Sequence, residues 1–398
     1  MRPCFYVFLF GLLGTSLAAE TRQHGNLIFD LPRGWVSGGT RDGILTLRSE
    51  LPGDECEFCA IRVTPGTLTG GRVDTWLNQQ TRRFVDPDET DPPKITQIVA
   101  PEVFNLKGRP GAILGQTVDG DLQILFAVQL FGRMELVAFT APASDPEDIP
   151  PAMTVFQRDV VPMLESARFV SEGAEPLMPP PEPGNLKGVW WGTSTWWTIG
   201  IDGMMTMQID HHWLTFHPDG TFYDGTAPTG TAPFAQAELL AQGDMDWGSY
   251  RLKGDSLMLH YASGEVESYE VTDDTFHKGD RRMDPIDLLA DGAKINGVIS
   301  TIFASGFTPG LGMSGGVTRM TDTTYRPDGT WVYGAYAGAS ATFDNGSGFA
   351  SGSEHSESGR YLVKHGLVVL SDEEGSFVRS DYIFKAGDTI WIGSDILK

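Results

Sequence analysis

Two rhythms of apolar residues divide this chain. Up to about residue 170, strand-like runs at Asn26–Leu31, Ile44–Arg48, Gly111–Val118 and Leu122–Phe131 surround two stretches with helical spacing. The first, Arg72–Val85, puts Val73, Trp76, Leu77, Gln80 and Phe84 on one face. The second, Pro150–Ala167, has Met153, Phe156, Val160 and Leu164 as its stripe, and Pro162 is expected to bend or interrupt it. From Leu186 onward the period falls to two. Short runs such as Ser256–His260, Glu265–Val271, Leu367–Leu370 and Phe377–Phe384 are bounded by turn residues, which favours antiparallel sheet, sandwich or barrel. Phe234–Ala241 is a short helical candidate within that region. The stretch Gly338–Gly359, rich in glycine and serine, is expected to be a mobile surface loop.

The period-two region repeats itself. Leu214-Thr-Phe-His-Pro-Asp-Gly-Thr-Phe222 and Thr323-Thr-Tyr-Arg-Pro-Asp-Gly-Thr-Trp331 are matching hairpin cassettes, their turn glycines 109 positions apart. The same offset relates Gly188-Val189 to Gly297-Val298 and Gly203-Met204 to Gly312-Met313. After the hairpin each copy resumes at Gly248-Ser-Tyr250 or Gly359-Arg-Tyr361. The predicted fold class is an α+β N-terminal sandwich followed by an all-β region, an antiparallel barrel or sandwich, built from two internal repeats. The expected divisions are a signal peptide at 1–19, the α/β sandwich at 22–170, a proline-rich linker at 171–185, and β repeats at 186–294 and 295–398. The linker is expected because Pro176, Pro179, Pro180, Pro181 and Pro183 favour an extended backbone.

Particular motifs carry two resemblances. Phe29-Asp-Leu-Pro-Arg-Gly-Trp35, an early amphipathic helix, a central sheet and Met163-Leu-Glu-Ser-Ala-Arg-Phe169 resemble the PsbP and Mog1-like α/β sandwich group. That resemblance implies assembly, binding or envelope roles and brings no catalytic set. The glycine-tryptophan opening strand, aspartate-glycine-threonine hairpin and glycine-x-tyrosine strand resemble lipocalin-like domains. The second copy departs by carrying Ile299 where Trp190 stands in the first, which argues against a ligand site in copy two.

Charge and export narrow the function. Arg2, the apolar run Phe5–Leu13 and Ser16-Leu17-Ala18 form a secretory signal pattern. The run is too short for a membrane anchor, so the mature chain is expected to be free of one and periplasmic or secreted. Formal net charge is −23, which repels nucleic acid and anionic surfaces. Beyond the signal only Cys56 and Cys59 remain. An oxidising compartment favours a short disulfide between them. A reactive dithiol is disfavoured by Glu55 and Glu57, haem attachment by Ala60 after the second cysteine, and a closed zinc site by the lack of a second cysteine pair.

Among candidate sites, Trp190, Trp191, Trp196, Trp197 and Trp213 bring half of the ten tryptophans together, as the lining of an apolar pocket or as plain core. Strand alternation forbids both members of an adjacent pair from pointing inward, so one should be exposed or covered by a neighbour. His211, His212, His217 and His260 lie in the same copy, but alternation and spacing work against a shared metal, and no metal or cofactor is expected. Gly310-Leu-Gly-Met-Ser-Gly-Gly316 matches dinucleotide and nucleophile-elbow patterns, yet Val317–Tyr325 leads into a hairpin where both need a helix. The position matching Ser314 in the first copy is Met205. Acidic pairs such as Asp244 with Asp246, Asp273 with Asp274, and Glu373 with Glu374 are expected on solvated loops, and no catalytic residue is assigned.

The expected function is an exported, non-enzymatic binding or interaction protein of the cell envelope, with a small apolar ligand in repeat one or an envelope protein as partner. The alternatives are an exported serine- or carboxylate-dependent hydrolase and a structural scaffold binding envelope proteins.

Overall fold

A computed structural model describes residues 20–50, 58–84, 93–130, 133–143, 145, 147–199, 205–307, 313–343 and 348–398. The signal-like segment, Cys56 and most of the glycine pattern before Met313 lie outside them. The chain forms two compact units, Met1–Leu177 and Met178–Lys398.

The first unit is the expected α+β sandwich. Its seven-stranded antiparallel sheet runs Trp35–Arg41, Ile44–Ser49, Ala60–Leu68, Arg133–Ala141, Asp121–Leu130, Arg109–Val118, Ile95–Leu106. Asp121–Leu130 and Arg133–Ala141 are buried along nearly their whole length because both faces are covered. On one face Val73, Trp76 and Leu77 of the Val73–Gln79 helix pack over Leu114, Leu125 and Leu136. On the other, Val155, Phe156 and Met163 join Phe29, Trp35 and Phe139. The second helical stretch does not run straight. It is α-helix over Ile149–Val155, π-helical over Phe156–Val160, and α-helix again over Val161–Ser166, with Pro162 in the first turn of the last segment. A proline lacks the N–H of a regular helical bond, and the wider turn just before it absorbs that loss.

In the second unit each repeat becomes a barrel of eight antiparallel strands. The first is closed where Gly188–Ile199 pairs with Arg281–Pro285, Trp190 opposite Pro285 and Thr193 opposite Arg282. In the second, eight strands follow one another from Gly297–Phe307 to Asp395–Leu397, and Asp287–Leu288 adds to Phe377–Ala386. Its first and last strands meet through reciprocal backbone hydrogen bonds between Val298 and Lys398, at 2.9 and 3.0 Å.

The two cassettes fold alike because the same residues make the same bonds. Gly220 and Gly329 take φ of 90° and 89° at the end of a turn opened by proline. The Asp219 carboxylate accepts from the Thr221 N–H and hydroxyl at 2.9 and 2.7 Å, and Asp328 accepts from Thr330 at the same two distances. Tyr250 N–H donates to the Gly220 carbonyl and Tyr361 N–H to that of Gly329. The hydroxyl of Tyr250 lies at the Leu186 and His217 carbonyls, and that of Tyr361 at the Ile295 and Arg326 carbonyls.

Two segments differ from the sequence expectation. Gly338–Gly359 is not a surface loop. Outside residues 344–347 it continues the strands Thr330–Phe343 and Gly348–Lys364, paired in register from Thr330 with Arg360 to Thr342 with Gly348. Glycine, alanine and serine lower strand propensity, but a long ladder between two paired neighbours satisfies their backbone all the same. The proline-rich stretch, for its part, is fastened to the first barrel from Met178 on. Pro179 carbonyl accepts from the Ser249 hydroxyl, Pro180 carbonyl from Arg251, and Glu182 forms an ion pair with Arg251. The helix expected at Phe234–Ala241 is present as Gln236–Gln242.

Candidate binding site

The five tryptophans of the first repeat do not converge on one cavity. Trp190 points into the first barrel, where it stacks on Phe276 at 5.0 Å and meets Phe216 edge-on at 5.1 Å. Its indole N–H donates to the Asp274 carbonyl at 3.1 Å. Phe222, Tyr250, Tyr261 and Tyr269 complete an aromatic filling. Trp191, one residue on, faces outward and is covered by Phe384 and Trp391 of the second barrel. Trp213 shares that face and packs on Tyr382 and Phe384. The expectation that a neighbour covers one of an adjacent pair thus describes Trp191, and the seam between the barrels is aromatic. Tyr382 at its centre bonds Thr215 and the Ala227 N–H, and burial pushes its phenol up to about 12. Trp196 and Trp197 lie farther along the same hairpin, 48% and 59% exposed, with the Trp196 indole donating to Asp210.

The other expected candidates are equally dispersed. His211 stacks on Trp191 and accepts its indole N–H at 3.1 Å. His212, on the opposite face, bonds Ser194. His217 is buried beside Phe234 at the hairpin turn, and desolvation holds it below the ordinary histidine range. His260 sits opposite Ser249. Asp244 accepts from the Tyr223 hydroxyl, and Asp273 and Asp274 are turn residues with positive φ. Ser314 lies in Met313–Tyr325, paired on one side with Thr342, and the chain continues into a hairpin and not a helix. Cys59 is buried at the head of Ala60–Leu68.

What the sequence does not single out is the interior of the second barrel, a cleft of about 610 Å³ open to solvent, with Thr301, Arg319 and Arg379 exposed along it. Comparing the two sheets position by position explains why this barrel is hollow and its twin is filled. Trp190 lies opposite Leu214, and its counterpart Ile299 lies opposite Thr323. Leu257 pairs with Tyr269 in the first sheet, whereas the corresponding Val368 pairs with Asp381. An indole and a phenol are therefore replaced by a butyl group and a carboxylate. The exchange at Ile299, which argues from sequence against a ligand site in copy two, is one of the changes that leave room there.

The base of this barrel is packed by Tyr325, Trp331, Tyr361, Ile383 and Ile392. Above it Ile299, Thr301, Thr321, Thr323 and Tyr333 form the wall, and Arg319, Arg379 and Asp395 bring charge. Arg379 and Asp381 alternate with Ile383 on the inner face of Phe377–Ala386, and the Arg379 Nε lies 3.5 Å from an Asp381 oxygen. Asp381 is held above the usual carboxylate range, chiefly by burial, against the pull of Arg379. The guanidinium of Arg379 is held above its ordinary value by Asp381, Tyr325 and Asp395, which outweigh its own desolvation. Beneath it lies the fully buried Tyr325 hydroxyl, which meets the guanidinium from below. Burial also raises that phenol, so it stays protonated. In the first barrel the position equivalent to Arg379 is Glu267, since Leu259 and Leu370 are the respective partners. There Lys278 pairs with Glu267, and the Tyr261 and Tyr269 hydroxyls point to it.

No family model matches this chain, and no curated protein matches it. Among solved structures it is similar to a cyanobacterial PsbP (CyanoP) from Synechocystis sp. PCC 6803, at 12% identity and a TM-score of 0.30, over 39% of this chain and 95% of that one. A likeness that slight carries no argument about what the chain does. Among the described residues no helix is long and apolar enough to cross a membrane.

Proposed function

We propose that this chain is an exported, non-enzymatic binding protein of the cell envelope that takes a small ligand in the lumen of its second barrel. The observation that carries the proposal is the contrast between twins: one interior filled with seven aromatic rings, the other a cleft of about 610 Å³ with charged groups turned into it. That volume lies in the range of small-molecule sites, and a few polar groups on a largely preformed wall are their usual furnishing. Export is supported by the signal-like start, and the secretory reading also favours a Cys56–Cys59 disulfide; the Cys59 sulfur is not a free thiol. The α+β architecture and the motifs at Phe29–Trp35 and Met163–Phe169 support a PsbP/Mog1-type N-terminal domain, and the eight-stranded barrels support a lipocalin-like second half. Thr321→Trp places an indole in the lumen. Protein isolated from its native compartment should release a small molecule on denaturation, detected by mass spectrometry, and the Thr321→Trp protein should not. Equal recovery from both proteins, or none from either, refutes the proposal.

A scaffold role has its own support. Trp197, Met205, Met207 and Ile209 lie exposed on the face of the first hairpin that continues from the aromatic seam. Crosslinking in intact cells tests it: loss of crosslinks in Trp197→Ser with Met207→Ser supports an envelope protein partner on this face, and unchanged crosslinks exclude it.

A further inference from the structure

Resting on that reading of the second lumen, we infer that its ligand is an uncharged, polyhydroxylated molecule, a mono- or disaccharide. The charges around the lumen are balanced. The lining carries two guanidinium groups, Arg319 and Arg379, and one carboxylate, Asp395, and Asp381 beside Arg379 at 3.5 Å brings a second carboxylate, so the formal charges cancel. His355 and Glu357, on the same sheet face nearer the rim, bond each other at 2.8 Å. An anion approaching Arg379 meets Asp381 and Asp395, and a cation approaching either carboxylate meets Arg379.

Desolvation disfavours an apolar ligand as well. An apolar ligand filling this space strips water from Arg379 and Asp395 and returns no hydrogen bond, a cost that burial of its own surface must first overcome. A sugar hydroxyl both donates and accepts. It can take an N–H from Arg379, whose planar fork has five and whose contact with Asp381 occupies one edge. It can give its proton to Asp395. The hydroxyls of Thr301, Thr321 and Thr323 offer both roles along the wall, and the Tyr333 ring supplies a flat apolar surface for the C–H face of a sugar ring.

The buried Tyr325 hydroxyl adds an independent observation. It has no exposure to solvent, and the group it meets is the Arg379 guanidinium. Here it lies under Arg379 at the floor of the lumen and holds the guanidinium from below. In the first barrel the matching position is Phe216, Glu267 is already bonded by two tyrosines and a lysine, and aromatic side chains pack the interior. The second copy combines room with donors and acceptors of both signs.

Isothermal titration of the mature chain tests this with a panel of neutral mono- and disaccharides including glucose, galactose, mannose, maltose and trehalose, with glucuronate, glucosamine and decanoate as charged and apolar counterparts. At least one neutral sugar should bind more than tenfold tighter than glucuronate, glucosamine or decanoate. Binding should weaken at least tenfold in Asp395→Asn and in Arg379→Gln, less in Arg379→Lys, and vanish in Thr321→Trp, with circular dichroism confirming that each variant is folded. If glucuronate, glucosamine or decanoate binds best and Thr321→Trp removes that binding, the sugar assignment is overturned while the lumen remains a ligand site. If neutral sugars bind equally well to Thr321→Trp, the lumen assignment fails with it. Absence of binding by every neutral sugar overturns the inference.

Discussion

Replacing Trp190 by isoleucine gives the first barrel the residue its twin carries at the same position, and the structure sets the size of the effect. The indole is 7% exposed and makes two aromatic contacts, with Phe276 at 5.0 Å and Phe216 at 5.1 Å. Such pairs contribute about 0.5–1.5 kcal/mol each beyond area burial. Its N–H bond to the Asp274 carbonyl contributes roughly another 1 kcal/mol. Isoleucine retains part of the apolar burial, so the loss should stay below the ~3–5 kcal/mol of a tryptophan-to-alanine change, and about 3 kcal/mol is expected. At the size of the Met178–Lys398 unit this lowers the melting temperature by roughly 6–12 °C. Guanidinium unfolding followed by far-ultraviolet circular dichroism and by fluorescence gives the free energy, and the slope of the transition should stay near that of the parent. A loss under about 1 kcal/mol would falsify the claim that Trp190 holds the first interior closed, because the aromatic contacts alone account for at least that much.

Glu135 is buried in the first unit, bonded by the Asn26 side chain, and burial raises its carboxyl above the ordinary value of 4.5. The folded state therefore keeps a proton that the unfolded chain gives up, so this contribution is complete below about pH 4.5 and is lost as pH rises through the folded value; Glu135→Gln should flatten the fall in stability between acid and neutral pH, and an unchanged profile refutes the assignment. Tyr250→Phe and Tyr361→Phe remove equivalent hydroxyls and their bonds to the turn carbonyls of His217 and Arg326, at about 0.5–1.5 kcal/mol each. Chemical denaturation should find the two losses within about 1 kcal/mol of each other, and a wide disparity contradicts structural equivalence of the repeats. Trp213→Ala strips the inter-barrel seam of its contacts with Tyr382 and Phe384, at a cost of about 3–5 kcal/mol, and should split one unfolding transition into two in calorimetry. A single transition shifted as a whole shows that the barrels remain coupled without it.

The hairpin cassettes were legible because their bonds are local. Proline opens the turn, aspartate accepts from the threonine two residues on, and glycine takes the positive φ, so four residues in a row specify the shape in both copies. Alternation likewise places Trp190 and Trp191 on opposite faces, whatever packs against them. The Gly338–Gly359 segment was misleading for the converse reason: small residues carry little local preference, and the pairing that makes them strands is with distant neighbours. The candidate lumen was hidden by the same kind of distance. Arg379, Asp395 and Tyr325 are separated by up to 70 positions, on different strands, and no motif spans them.

The sequence by itself therefore determines the duplication, the turns and the in-and-out pattern of each strand, since these depend on contacts between residues close along the chain. Which of two similar barrels is filled and which is hollow is decided only in three dimensions. A lumen is a balance of side-chain volumes contributed by eight strands at once, and exchanging an indole for a butyl group at Ile299 and a phenol for a carboxylate at Asp381 shifts that balance only because closure brings the two positions to the same interior.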